Sequence, residues 1–391
     1  MTSAPTSKLS TPRLAAARRV IVKIGSALLV DGITGELRRE WLASVANDLA
    51  AMRARGQDVG IVSSGAIALG RRKLGLPSGA LRLEESQAAA AVGQIDLAHA
   101  YRSVFAPHGF NVAQLLLTLS DTEERRRYLN ARGTLATLFR MSAIPVINEN
   151  DTVATEEIRF GDNDRLAARV AACASADALV LLSDVDGLYT ADPRRDASAT
   201  KLKEVAAVTV DIEAMAGPVG SDMASGGMVT KLAAARIALD AGCSMAIASG
   251  VAENPLHHLE TVDNATWFVA DQTPVQARKR WIAGGLAAEG EVWIDSGAAH
   301  ALGQGNSLLP AGATRINGRF ERGAPVIVRG PDGREVARGL IAYSAEDARR
   351  ILGKQSADFA DALGYHGRAA LIHRDDMSMT GRAGSLSREE A

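Results

Sequence analysis

Two lysines and one run of carboxylates and amides are where this chain of 391 residues could do chemistry. The run spans Ile144 to Asp164: Ile-Pro-Val-Ile-Asn-Glu-Asn-Asp, then Thr-Val-Ala-Thr-Glu-Glu-Ile-Arg-Phe, then Gly-Asp-Asn-Asp. A short apolar strand stops abruptly in Asn148, Glu149, Asn150 and Asp151. Asp162, Asn163 and Asp164 open the helical pattern that follows, and the alternating segment Thr152–Phe160 between them reads as a hairpin. An ordinary Asx-rich turn would look the same locally. As a binding site, Ser64, Asp151 and Asn163 suit an amino acid: a carboxylate for its ammonium, a hydroxyl and an amide for its carboxylates. Asp162 and Asp164 favour cations and can orient lysines or attract a metal carried on a nucleotide, although capping a helix would explain Asp162 equally well.

Lys23 ends a β-branched run, Val20-Ile-Val-Lys23, beside Gly25-Ser26. Lys231 follows Ser225-Gly226-Gly227 just inside a helical pattern. Two glycines at a helix start let a phosphate approach backbone N–H groups and the positive end of the dipole. A lysine one turn in points back toward that end. Such a pair can straddle a transferring phosphoryl group, which needs charge neutralisation and alignment more than covalent help. Neither segment is a Walker A loop or a spaced-glycine dinucleotide motif. All seven histidines lie outside these clusters. A carboxylate acceptor, already ionised at neutral pH, needs no general base.

The elements that must position these groups alternate. Apolar runs at Val20–Lys23, Val59–Val62, Val112–Leu117, Ile144–Ile147, Ala178–Leu182 and Ser244–Ala248 read as strands. Helical patterns between them include Trp41–Met52, Glu84–Phe105, a helix capped by Asp121 and running through Tyr128 and Leu135, and one carrying Met228, Leu232, Ala235 and Leu239 on one face. The strands are apolar throughout, as in a largely parallel sheet buried by helices on both faces, an αβα sandwich of α/β class. Ligands on such sheets bind beyond the carboxyl ends of the strands. The polar clusters lie there: Lys23–Gly25, Ser63–Gly65, Asn148–Asp151 and Ser183–Asp184.

The expected organisation is a disordered extension over residues 1–19, the α/β domain over 20–272, a linker over 273–284, a small domain over 285–373 and a flexible tail over 374–391. The small domain has glycine at close intervals and one clear helix, Ser344–Leu352, and reads as a mostly-β barrel. With 44 Lys+Arg against 45 Asp+Glu, the chain is not built chiefly to coat nucleic acid or an anionic membrane. Cys173 and Cys243 sit in Ala-rich apolar runs and read as core packing in a reducing cytoplasm. No window is apolar for long enough to span a bilayer.

With these residues placed, the chain resembles the glutamate 5-kinase branch of the amino acid kinase family from Val20 to Met377. The motifs are Val-Lys23-Ile-Gly25-Ser26, Ser63-Ser64-Gly65-Ala-Ile67, Ala91-Val-Gly-Gln94, Pro145-Val-Ile-Asn-Glu-Asn-Asp151, Gly161-Asp-Asn-Asp164, Gly187-Leu-Tyr-Thr-Ala-Asp-Pro193, Gly226-Gly-Met-Val-Thr-Lys231 and Lys279-Arg-Trp-Ile282. The Gly-rich C-terminal part resembles a PUA domain, an RNA-associated fold. The resemblance implies ATP-dependent phosphorylation of the L-glutamate γ-carboxylate, the first step of proline synthesis. It places glutamate at Ser64, Asp151 and Asn163. It places ATP at Lys23, Ser183, Asp184 and along Ser225, Gly226, Gly227, Met228, Val229, Thr230 and Lys231. Lys23 and Lys231 would stabilise the transferring phosphoryl, with Asp162 and Asp164 beside them. Mg²⁺ is implied with the nucleotide, together with proline as feedback inhibitor, a homo-oligomer and RNA contact through the PUA-like domain. The chain departs from some relatives at Val185-Asp186, where they carry Gln-Lys, and at Ser183 and Ser225, where they carry Thr. The rival readings are a family member acting on acetylglutamate, carbamate or a nucleoside monophosphate, and an RNA-binding protein working through its C-terminal domain.

Overall fold

The computed structural model describes residues 14–153, 162–216, 227–262, 264–284, 287–355 and 358–380. The chain divides into two compact units after Pro274. In the first, the strands are β1 (Arg19–Ile24), β2 (Asp58–Ser63), β3 (Val112–Leu117), β4 (Ile144–Glu149), β5 (Ala178–Ser183), β6 (Glu204–Val205), β7 (Ser244–Ser249) and β8 (Ala265–Phe268). They form one sheet in the order β3-β4-β2-β1-β5-β7-β8-β6. Neighbours run parallel except β7 and β8, which are antiparallel. Every residue of β5 is buried, as expected of a strand covered on both faces.

Side chains alternate across a strand, so β1 feeds two cores. Val20, Val22 and Ile24 pack with Trp41, Val45 and Leu49 of helix Arg39–Ala54 and with Leu97 and Tyr101 of helix Leu83–Phe105. Ile21 packs on the opposite face with Leu166 and Val170 of helix Asp162–Ala174 and Leu232 and Ala235 of helix Met228–Asp240. The same alternation puts Lys23 on the Ile21 face, toward the two helices that carry Asp164 and Lys231. The four strands whose carboxyl ends carry polar clusters, β4, β2, β1 and β5, are consecutive neighbours in the sheet. Cys173 and Cys243 are buried and form no disulfide.

Several expectations change. Asp121 does not cap a helix that continues through Leu135. Thr118 caps the short helix Leu119–Glu123, its hydroxyl accepting from the Asp121 N–H while the Asp121 carboxylate accepts from the Thr118 N–H at 2.7 Å. A new helix, Arg125–Arg140, starts after Glu124, whose φ and ψ are extended. Within the stretch expected to be disordered, Leu14 is 2% exposed, and Gln57 Nε2 donates to the Leu14 and Ala17 carbonyls. The short strands β6 and β8 escaped the sequence reading because two to four residues show no period. Most of the expected hairpin Thr152–Phe160, residues 154–160, lies outside the described residues.

The second unit has strands β9 (Gly290–Ile294), β10 (Ala313–Gly318), β11 (Pro325–Arg329), β12 (Glu335–Leu340) and β13 (Met377–Met379), in the order β10-β9-β11-β12-β13. They surround their own core of Val292, Val326, Val328, Ile341 and Phe359. Helix Pro274–Gly284 occupies the segment read as a linker, and Arg278 in it donates Nε and Nη2 to the buried Asp376 carboxylate at 3.0 and 2.8 Å. Helices Ser296–Gly303 and Phe359–Leu363 accompany Ala345–Arg350 where one helix was expected. The first of these starts at Asp295, whose carboxylate takes the Ala298 N–H at 2.7 Å. Its small residues disguise the helical period. β13 lies within the stretch expected to be a flexible tail.

Candidate active site

Lys23, Asp164 and Lys231 converge from three elements. Lys23 comes from β1, Asp164 from the first turn of helix Asp162–Ala174, and Lys231 from the first turn of helix Met228–Asp240. Lys23 Nζ lies 2.6 Å from Asp164 Oδ1 and Lys231 Nζ 3.3 Å from Asp164 Oδ2. Asp164 is fully buried, and Lys23 and Lys231 are 8% and 5% exposed. One carboxylate therefore serves two ammonium groups, leaving the trio with a single net positive charge. Burial alone would push the Asp164 carboxyl up, but the two ammonium groups outweigh it and hold the carboxyl below the usual carboxylate range. Thr230 Oγ1 completes the arrangement, 3.1 Å from Asp164 Oδ2 and 2.8 Å from the Gly227 carbonyl.

A second group sits at the ends of β2 and β4. Asn163 Nδ2 donates to Ser64 Oγ at 2.7 Å, and lies 3.2 Å from both the Ser63 carbonyl and Asn148 Oδ1. Asn148 Nδ2 donates to Gln94 Oε1 at 2.8 Å. Beneath them the buried Tyr101 hydroxyl donates to Ser63 Oγ at 2.9 Å. Gly65, at φ +101° a conformation natural to glycine, turns the chain from β2 into helix Ala66–Lys73. Asp151 is buried in the turn after β4, and burial raises its carboxyl pKa to about 6.

Ser183 and Asp184 end β5, with Ser183 Oγ donating to Asp184 Oδ1 at 2.9 Å. Gly227 caps helix Met228–Asp240 with extended backbone, Met228 is half-buried and Val229 exposed. Ser225, Gly226 and the side chain of Asp162 lie outside the described residues. Asp186, the charge expected to differ from some relatives, is compensated in place. Lys201 Nζ is 3.1 Å away and the Tyr189 hydroxyl donates to it at 3.0 Å. Burial pushes the Asp186 carboxyl up, but the Lys201 and Tyr189 hydrogen bonds more than offset this and leave it below its usual range.

The structure thus brings Lys23, Asp164, Lys231 and Thr230 into direct contact, and Ser64 with Asn163. The Asn163 amide was expected to serve a substrate carboxylate, and Ser63, Ser64 and Asn148 surround its nitrogen. Gln94, Asn148 and Tyr101 were not singled out as functional. Gln94 stands in the Ala91–Gln94 motif, the one signal that could have found it, whereas Tyr101 reads as core. A cavity of about 1030 Å³ opens beside Arg38, Trp41, Arg72 and Lys73. None of the residues above lines it.

The model of the amino acid kinase family matches residues 18–249, and that of the PUA domain residues 290–363. The glutamate 5-kinase of Paramagnetospirillum magneticum is 60% identical over 94% of this chain and 99% of its own length. That of a Bradyrhizobium strain is 57% identical over 97% of this chain and 100% of its own.

Proposed function

The chain belongs to the amino acid kinase family, and from that premise we propose that it transfers the γ-phosphoryl group of ATP to the γ-carboxylate of L-glutamate, giving γ-glutamyl phosphate and ADP, the entry step to proline. The observation that carries the reading is the Lys23–Asp164–Lys231 trio beside the Ser64–Asn163 pair, on consecutive strand ends of one sheet. Both substrates are assigned to residues 20–272. The glutamate carboxylate oxygen attacks the γ-phosphorus in line and the bond to the β,γ-bridging oxygen breaks. No proton need be removed, consistent with sites lacking histidine. Negative charge accumulates on the phosphoryl oxygens and the leaving ADP, where two fixed ammonium groups stabilise it. Asp164 prevents the two lysines from repelling each other apart before the nucleotide arrives.

Asp151, buried and raised in pKa, is assigned to the α-ammonium, whose positive charge favours the ionised carboxylate against the cost of burial. Ser183, Asp184 and the Gly227–Lys231 helix start are assigned to ATP, with Mg²⁺ as part of the MgATP substrate. Among the described residues no group of three His, Cys, Asp or Glu side chains could hold a resident ion. Proline, sharing the ammonium and α-carboxylate of glutamate, would compete for the same groups. Self-association and RNA contact through the PUA domain are carried as assignments from the family. The test traps the acyl phosphate with hydroxylamine. γ-Glutamyl hydroxamate should form from ATP and L-glutamate and not from acetylglutamate. The reverse preference overturns the substrate assignment.

A further inference from the structure

The side-chain amides at the ends of β2 and β4 can be oriented in one way only. Asn163 Nδ2 faces the Ser63 carbonyl, a backbone acceptor that cannot turn round, as well as Asn148 Oδ1. Rotating this amide by half a turn would set carbonyl oxygen against two acceptors. The nitrogen therefore points inward. Asn163 Oδ1 is left buried, with no hydrogen-bond partner among the described residues. A buried carbonyl oxygen in that condition costs free energy until a donor reaches it.

Asn148, 2% exposed, must show its own oxygen to Asn163, so its nitrogen must find an acceptor on the other side. Gln94 Oε1, 2.8 Å away, is that acceptor. Gln94 comes from helix Leu83–Phe105, which is held close by glycine. A Cβ on the adjacent Gly93 would stand 1.8 Å from the Ala66 carbonyl oxygen, and one on Gly70 1.7 Å from that of Ala89. Ser64 Oγ, having accepted from Asn163, keeps its own proton to offer to a carboxylate oxygen.

We propose that Gln94 is a specificity-determining positioning residue: through Asn148 it reinforces the orientation that the Ser63 carbonyl imposes on Asn163, keeping the Asn163 carbonyl oxygen as the open acceptor, and so selects a substrate bearing a cationic nitrogen donor, the α-ammonium of an amino acid. This rests on the glutamate-kinase reading and adds the source of its selectivity. A hydroxyl in place of the ammonium offers one neutral donor, and a weaker hydrogen bond.

The full-length chain tests it, with KM for L-glutamate compared with the competitive inhibition constant of 2-hydroxyglutarate. Gln94→Met should raise KM for L-glutamate about tenfold, about 1.4 kcal/mol, leave KM for ATP in place, and change the 2-hydroxyglutarate constant by less than about threefold. Gln94→Glu, which keeps an acceptor toward Asn148, should recover most of the lost discrimination. Gln94→Ala removes the same acceptor without bulk and carries the test if the Met variant does not fold. Equal weakening of both ligands, with their ratio unchanged, overturns the proposal. A parent chain that forms no γ-glutamyl hydroxamate overturns the glutamate reading instead, so the two failures are distinguishable.

Discussion

Asp164 is the residue on which the reactive centre turns. It is isolated from water and its two oxygens are divided between Lys23 and Lys231. Asp164→Asn keeps the shape and removes the charge, leaving two buried ammonium groups facing each other. Losing this electrostatic arrangement should cut kcat by roughly 10²–10³, and breaking the buried pairs should lower stability by about 3–5 kcal/mol. Hydroxamate kinetics and urea unfolding read the two effects, and a kcat within twofold of the parent would remove Asp164 from the chemistry. Asp151 behaves oppositely. Its pKa, raised to about 6 by burial, means that the folded chain holds the carboxyl proton more tightly than the unfolded chain does. Stability is then fully present below the ordinary carboxyl pKa and is lost as pH rises through about 6. Asp151→Asn should therefore be more stable than the parent by about 1–3 kcal/mol at pH 8 and equal to it near pH 3. In the parent, kcat/KM for glutamate should fall about tenfold per pH unit below pH 6, where a proton competes with the substrate ammonium. A flat profile from pH 5 to 8 would refute the assignment. Asp164 was legible in the sequence as a carboxylate placed to steady lysines because it opens a helix beside a strand end. Gln94 was not, because its role depends on which atom of a neighbouring amide faces it, and that is decided only once β2, β4 and two helices are in place.

At the scale of elements, the strand ends were readable and the helix contacts were not. Four apolar runs stopping in polar residues predict a cluster above a parallel sheet, and the observed order makes those four strands neighbours. Short strands and the small-residue helix Ser296–Gly303 carry too few periodic residues to be seen. Nor does sequence alone reveal that helices Ala66–Lys73 and Leu83–Phe105 meet backbone to backbone at Gly70 and Gly93. This contact fixes the height of Gln94 over the sheet. Gly93→Ala would force a methyl group to within 1.8 Å of the Ala66 carbonyl oxygen, so the helices must separate. We expect a loss of about 3 kcal/mol and a higher KM for glutamate, measured by thermal unfolding and by the hydroxamate assay. Gly303→Ala, at a helical glycine with nothing within 4 Å of the added carbon, is the comparison and should be neutral or gain up to about 1 kcal/mol. Equal behaviour of the two variants would mean that the helix crossing yields easily and does not hold Gln94 in place.

For the whole molecule, the question is whether phosphoryl transfer needs both units. The first unit closes two hydrophobic cores on the faces of its own sheet, and the second closes a separate one around Val292, Val326 and Phe359. Every side chain assigned to glutamate, ATP or the phosphoryl group precedes Leu232 in the chain, inside the first unit. A unit of about 270 residues buries a large enough share of its surface to fold alone. The boundary after Pro274 falls one residue into helix Pro274–Gly284, and the buried Arg278–Asp376 pair ties the rest of that helix to the second unit, so the helix must leave with it. A chain ending at Pro274 should unfold in one cooperative transition and should form γ-glutamyl hydroxamate with kcat within about threefold of the full chain, a change of under about 1 kcal/mol in barrier. Loss of a cooperative transition would show that the first core is incomplete without the second unit. A cooperative fold with kcat down by a hundredfold would show instead that the second unit supplies something to the site itself. The sequence reading ended the kinase domain at residue 272, where composition shifts, two residues before the boundary that packing draws. It missed the allegiance of the following helix because Arg278 and Asp376 are far apart in the chain and pair only in the fold.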